Sequence, residues 1–338
     1  GIARARRRSL GMTRRFTDDD ETDGGQVRSH LKVVKKPAAK IARELGSQEG
    51  NATVTAIFPN QASARLDADA RIVLCNYRMS TLVVDTLKRE RSPVCVGDRV
   101  RVEAGVIVGR CARRNRLVRS TPNPRDPLLH VLAANLDFLV IVAAAREPEF
   151  SCGIIDRFLV AASAQRIEQV LVINKTDLRQ PDESRPWSHY PDAGVTVIET
   201  SAHDGSGVDR LLTLLSGKTA AFCGHSGVGK TSLLRQLLAD NDYGRVAAIS
   251  AMSGKGRHTT SGAVLLAGPG ASSLIDTPGV MNFGLIDIAA DGLLVHFPEL
   301  HKAAAGCAAD CLHDAEPDCA LRALPRYGSY RAILSSLR

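Results

Sequence analysis

A chain of 338 residues with 44% hydrophobic side chains has room for two or three domains and can bury sizeable cores. It holds no apolar run long enough to span a bilayer and no apolar leader near its start, so a cytoplasmic protein without membrane attachment is expected. The formal charge of +8 favours a polyanionic partner, and eight cysteines that fall into five scattered residues and one tight cluster, Cys307, Cys311 and Cys319, are not a secreted disulfide framework.

Residues 1–46 are polar and unpatterned, with arginines before the acidic run Asp18-Asp19-Asp20-Glu21 and lysines after it. Such a segment cannot bury enough surface to fold alone; it is either a solubilising tail or an arm that folds onto nucleic acid. From 47 to 119 the text turns to five short β-rich runs, Thr53–Ile57, Ala62–Leu66, Arg71–Cys75, Arg99–Val102 and Gly105–Val108, separated by turn residues. Five strands in so short a stretch predict a small closed barrel of the OB type. Lys88, Arg89, Arg91, Arg99, Arg101, Arg110, Arg113, Arg114, Arg116 and Arg119 crowd its second half and suggest contact with an RNA backbone. With Phe58 and Tyr77 as the only aromatics there, shape and phosphate recognition are expected over base readout.

Thr121–Pro127, with three prolines, reads as a linker. Beyond it, residues 120–285 alternate buried strands (Phe138–Ala143, Gln169–Ile173, Val195–Ile198, Ala220–Cys223, Gly262–Ala267, Ser272–Ile275) with helices (Ile154–Ala164, Val208–Leu215). That alternation predicts a parallel α/β sheet covered on both faces.

The motifs in this region choose the ligand. Gly224-His225-Ser226-Gly227-Val228-Gly229-Lys230-Thr231 fits G-x-x-x-x-G-K-[ST] between a predicted strand and a predicted helix. Glycines let the backbone wrap phosphate, Lys230 reaches the outer phosphates and the Thr231 hydroxyl meets Mg²⁺. Asn174-Lys175-Thr176-Asp177 follows the second strand: the Asp177 carboxylate can accept both the N1–H and the exocyclic amine of guanine, while the Lys175 stem covers the base. Ser201 and Ala202 end the third strand, where backbone could meet the guanine carbonyl. Gly256–Thr260 and Asp276-Thr277-Pro278-Gly279 supply the remaining parts: Asp276 for Mg²⁺, Thr259 or Thr260 to complete its shell, and the Gly279 N–H to sense the γ-phosphate. Val280 stands where Ras-like GTPases carry the water-orienting glutamine. His258 is the candidate to replace it, the other reading being a loop histidine with no catalytic role. The base motifs precede the phosphate loop, the reverse of the ordinary order. A circular permutation keeps each motif at its own strand end and leaves the site intact.

In residues 286–338, Cys307, Cys311, His313 and Cys319 form a compact Cys₃His set, the donor pattern of a closed structural zinc site. Asp314 or backbone groups could orient His313 from outside the ligand set. The surrounding Arg322, Arg326, Tyr327, Tyr330, Arg331 and Arg338 suggest a basic exposed face on a helical module.

Barrel, N-K-T-D, S-A, phosphate loop, G-R-H-T-T, D-T-P-G and Cys₃His in this order resemble the RsgA (YjeQ) family of circularly permuted, small-ribosomal-subunit-dependent GTPases. The one departure in the metal set is a spacing of three residues between the first two cysteines where the family has four. The resemblance implies a permuted P-loop GTPase domain with an N-terminal OB barrel and a C-terminal helical zinc domain. It also implies GTP and GDP as substrate and product, Mg²⁺, one structural Zn²⁺, and a monomer that meets small-subunit RNA and proteins late in maturation. There it would hydrolyse GTP faster and then leave, with the switch-loop histidine, here His258, assisting. Two other readings stay open: an RNA-binding protein that senses GTP and barely hydrolyses it, and a GTPase serving another RNA–protein complex.

Overall fold

The computed structural model describes residues 45–77, 90, 92–120, 129–238, 262–277, 285 and 288–338. The N-terminal arm up to residue 44, Lys88, Arg89, Arg91, all of the proline-rich linker Thr121–Pro127, His258, Thr259, Thr260, Gly279 and Val280 lie outside these residues.

Five strands form the barrel: β1 (Ala52–Phe58), β2 (Gln61–Leu66), β3 (Ile72–Asn76), β4 (Arg99–Glu103) and β5 (Val106–Arg110). They close in the order β1-β2-β3-β5-β4-β1, all rungs antiparallel except β3 with β5. Small side chains fill the interior, Ala52, Val54, Ala62, Ala64, Cys75, Val100 and Ile107, as a tight barrel radius requires.

A hairpin of β6 (Arg116–Ser120) and β7 (Leu129–Ala134) follows, spanning the predicted linker. The α/β body holds β8 (Phe138–Ala144), β9 (Glu168–Asn174), β10 (Thr196–Glu199), β11 (Thr219–Cys223), β12 (Val264–Ala267) and β13 (Ser273–Asp276). Their order is β10-β9-β8-β11-β13-β12, parallel throughout except for β12, which runs antiparallel to β13. Every residue of β8 is buried because both faces are covered. Leu139, Ile141 and Ala143 face helix α1 (Cys152–Ala164), whereas Phe138, Val140 and Val142 face α2 (Val208–Leu215) and α3 (Lys230–Leu237). The expected all-parallel sheet is thus corrected at β12, which returns as a hairpin partner to the strand ending in Asp276.

The barrel joins this sheet directly. Ala56 of β1 pairs with Val264 of β12, which in turn faces Asp276 of β13. Ile57 packs against the barrel core and the α/β core together. The C-terminal module, with α4 (Pro298–Ala303) and α5 (Tyr327–Leu337), builds its own core from Leu293, Phe297, Leu300, Leu321, Tyr330, Ile333 and Leu334, and Val160 of α1 enters that core.

The arginines of the barrel region depart from the sequence expectation. Arg113 is 7% exposed and grips Asp98 with two bonds (2.7 and 2.8 Å) and Glu90 with two more at 3.0 Å. Arg116 also bonds Glu90, Arg99 bonds Asp67, Arg101 bonds Glu103 and Arg114 bonds Asp137. Acids, all but Glu103 distant in sequence, thus pair with Arg99, Arg101, Arg113, Arg114 and Arg116, and Arg113 serves the interior. Arg113→Met should therefore cost about 3–5 kcal/mol in a denaturant melt, because Asp98 stays buried without its cation and Glu90 keeps only Arg116 and Arg110. A loss under about 1 kcal/mol would show that these acids find water instead.

Candidate functional site

Since β8, β9, β10, β11 and β13 are parallel, the segments that follow them emerge at one end of the sheet. The structure brings together there the loops carrying Asn174–Asp177, Ser201-Ala202, Gly224–Thr231 and Asp276.

Asn174 ties three of these loops. Its amide donates to the Val228 carbonyl (2.9 Å), and its Oδ1 accepts from the Ala202 N–H (3.0 Å). It is 1% exposed, so these bonds are made away from water and fix the phosphate loop against the base loop. Thr176 donates its hydroxyl to the Thr200 carbonyl (3.0 Å), and Ser201 donates to Asp177 Oδ1 (2.6 Å). The Asp177 carboxylate is exposed yet held by a buried serine, an aimed acceptor. Lys175 adopts the left-handed conformation (φ 63°) and its ammonium donates to the Glu147 carbonyl.

In the phosphate loop, Gly224 and Val228 are buried, while His225, Ser226 and Gly227 are exposed. The His225 Nδ1 contacts the Ser226 carbonyl (2.9 Å). Gly229 sits at φ 87°, and a Cβ placed there would stand 2.3 Å from the Asn174 amide nitrogen. Helix α3 starts immediately afterwards with Lys230, so its free N–H groups and its dipole face the loop's hollow, a fit for phosphate. The Lys230 ammonium pairs with Asp276 and also points at the Thr277 carbonyl (3.4 Å). Thr277 donates its hydroxyl to the Phe222 carbonyl (2.6 Å), locking the end of β13 onto β11. Thr231 lies exposed one residue on, within the same helix turn. An exposed hydroxyl, a carboxylate and an ammonium at the mouth of a glycine cradle suit a magnesium–nucleotide phosphate chain. Gly229→Ala should lower nucleotide affinity at least about tenfold, since both its strained φ and its clash fall on the Asn174 brace. Unchanged binding by titration calorimetry would show that the loop relaxes freely.

One element was not foreseen. The six residues 145–150 after β8 lie between the base and phosphate loops: Glu147 holds Lys175, and the Pro148 ring lies against Gly227. The only sequence signal was their place after a central parallel strand, where ligand loops gather.

In the C-terminal module the donor atoms of Cys307, Cys311, His313 and Cys319 all lie within 4.8 Å of one another. Cys319 Sγ is 4.0 Å from Cys307 Sγ and 3.7 Å from His313 Nδ1. A tetrahedral zinc site spaces its donors by roughly 3.4–3.8 Å, so the set fits a closed four-coordinate metal. The Ala320 N–H donates to Cys307 Sγ (3.3 Å), as expected around a thiolate ligand. Burial pushes the Cys319 thiol up to about 11, and a bound cation would favour its thiolate. Asp314 does not orient His313. Its carboxylate pairs with Arg331 and Arg338, and its carbonyl accepts from Tyr327.

The expected basic face is corrected in part: Arg326, Tyr327 and Tyr330 are buried, whereas Arg322, Arg331 and Arg338 are exposed. Arg326 bonds Asp156 of α1 (2.7 Å) and Glu299 of α4 (3.1 Å), so this cation serves packing between modules.

The sequence pattern of the family described as RsgA GTPase matches residues 110–286. A relative from Pseudomonas aeruginosa (strain LESB58), named small ribosomal subunit biogenesis GTPase RsgA, is 37% identical over 90% of this chain and 94% of its own length. A relative of the same name from Bacteroides fragilis (strain ATCC 25285) is 35% identical over 79% of this chain and 90% of its own. The crystal structure of YjeQ from Thermotoga maritima superposes with a TM-score of 0.62 at 29% identity, covering 85% of this chain and 97% of that one. YloQ, described as a circularly permuted GTPase, shares the fold with a TM-score of 0.59 at 23% identity, over 88% of this chain and 98% of its own.

Proposed function

Because the chain belongs to the RsgA GTPase family and is a GTP hydrolase, we propose that it acts on the small ribosomal subunit, coupling hydrolysis to a late step of subunit maturation and to its own release. The observation that carries this is the near end-to-end likeness, over 94% of its length, to a relative named for small-subunit biogenesis. A cytoplasmic monomer follows from that reading.

In this proposal the Asp177 carboxylate reads guanine, Asn174 braces the pocket and the Lys175 stem covers the base. The Ala202 N–H, which donates to Asn174 Oδ1 in the structure, turns to the guanine carbonyl oxygen. The N–H groups from Gly224 to Thr231 cradle the phosphates, and Lys230 exchanges Asp276 for phosphate oxygen. Magnesium, held by Thr231 and Asp276, would neutralise charge developing on the phosphates. Gly279 and Thr259 or Thr260 complete the γ-phosphate side, and His258 orients the attacking water in place of the glutamine that Val280 replaces. His258→Ala should lower turnover by about 10²-fold with little change in GTP affinity; equal turnover would remove His258 from the mechanism. Cys307, Cys311, His313 and Cys319 hold one structural zinc.

The test is GTP turnover by the protein alone and with small subunits, large subunits and intact ribosomes. Stimulation by small subunits alone is the expected result. Equal rates in all four would leave a GTPase whose partner is something else.

A further inference from the structure

Arg326 reaches the nucleotide site through contacts that sequence distance conceals. Its guanidinium is 2% exposed and lies between two rings, 4.6 Å from the Phe297 centroid and 5.4 Å from that of Tyr190. Asp156, fully buried on α1, and Glu299 on α4 fix its orientation. Tyr190 meets Phe150 edge-on at 6.3 Å, and Phe150 also meets Trp187 at 5.5 Å. Phe150 is the last residue of the six-residue loop after β8. At the loop's other end the Ala145 N–H donates to the Asn174 carbonyl (2.7 Å). Between these two anchors, Arg146 and Glu147 are exposed, and the Glu147 carbonyl accepts from the Lys175 ammonium.

A short loop fastened at both ends holds its middle in place only while both fastenings persist. One fastening belongs to the strand beside Asn174. The other is an aromatic contact whose far side is pinned by a buried cation of the C-terminal module. We infer that Arg326 is a positioning residue for guanine recognition, acting through Tyr190 and Phe150 on the loop that holds Lys175 over the base. The C-terminal module thereby contributes to nucleotide affinity without touching the nucleotide. This route runs through Tyr190, Phe150 and the loop after β8 and does not use the segment after Asp276. It rests on the role proposed above for Lys175.

The test is equilibrium binding of N-methylanthraniloyl-GDP with Mg²⁺ to the full chain. Phe150→Leu keeps apolar volume and loses the ring contacts. Asp156→Leu combined with Arg326→Met removes the buried pair together, and Glu299 at the rim can turn to water. Each should raise Kd by about 5–10-fold, the lower range of measured couplings between sites. Lys175→Met should raise Kd by itself, and in that background neither change should add more than about twofold. A purely structural role predicts the opposite, losses that multiply with Lys175→Met. Such multiplication, or wild-type affinity in both variants, would overturn the inference. Wild-type affinity in Lys175→Met would instead overturn the role of Lys175, and the inference with it. Should one of the two changes prevent folding, the other carries the same test alone.

Discussion

Asp177→Asn should weaken GDP and GTP binding by at least about 10³-fold and create affinity for xanthine nucleotides. A site built around buried or aimed hydrogen-bonding groups rejects a mismatched partner by factors of this order, because the group that loses its partner also loses its water. Guanine presents two donors to this carboxylate, the N1–H and the exocyclic amine. An asparagine can accept only one and turns its own NH₂ against the other. Xanthine carries a carbonyl in place of that amine, so the same asparagine satisfies it. Ser201 sharpens the expectation: its hydroxyl holds Asp177 Oδ1 at 2.6 Å, so the carboxylate plane is set before the base arrives. It can equally donate to an asparagine oxygen, which turns the new NH₂ towards the base. Competition binding with GDP and XDP measures the exchange. Retained GDP affinity would mean that the base is read elsewhere, and the Asn174–Asp177 loop would lose its assigned role.

Much of that site could be read from the chain because each motif is local and each sits at a strand end. Phe138–Ala144 and Glu168–Asn174 announce themselves as runs with both faces buried, and the residues that end them must then emerge together. The reversed order of motifs was legible for the same reason. What escaped depends on partners far away in sequence. Nothing near Arg113 marks it as interior, since Glu90 and Asp98 reach it only after the barrel closes. Arg326 looks like one more basic residue near the C-terminus until α1 offers Asp156, 170 positions earlier. The antiparallel β12 and its rung to the barrel at Ala56 are likewise pairings that periodicity cannot encode. The hairpin of β6 and β7 was hidden by three prolines that read as an inter-domain linker but fall between its paired strands. The same non-local contacts make the three modules one continuous structure, through β1 with β12 on one side and Arg326 with α1 on the other.

That continuity shapes what loss of metal should do. Cys319→Ala, or removal of the ion by a chelator, should release one equivalent of zinc per chain and make residues 304–322 the preferred site of proteolysis, while α5 stays protected. Structural zinc sites contribute apparent binding energies of about 10–16 kcal/mol, far more than the few bonds that otherwise order this loop. Those bonds include Glu316 accepting from the Leu312, Asp314 and Ala315 N–H groups, Tyr327 donating to the Asp314 carbonyl, Arg322 donating to the Ala315 carbonyl, and Arg331 and Arg338 on Asp314. Helix α5 is held differently. Ile333, Leu334 and Tyr330 are buried in a core shared with Val160, and Arg326 at its start is pinned between Asp156 and Glu299. Burying each such side chain is worth about 1.5–3 kcal/mol, so this packing outlasts the ion. Mass spectrometry of the first cuts by proteinase K, which needs no basic residue, alongside zinc analysis, separates the outcomes. First cuts spread over 288–338 would show that the metal holds the whole module together. A pattern identical with and without chelator would mean that these four residues do not form a structural metal site. Confinement to the loop would fix the division of labour, with the metal shaping the loop and the buried arginine mounting the module on the GTPase body.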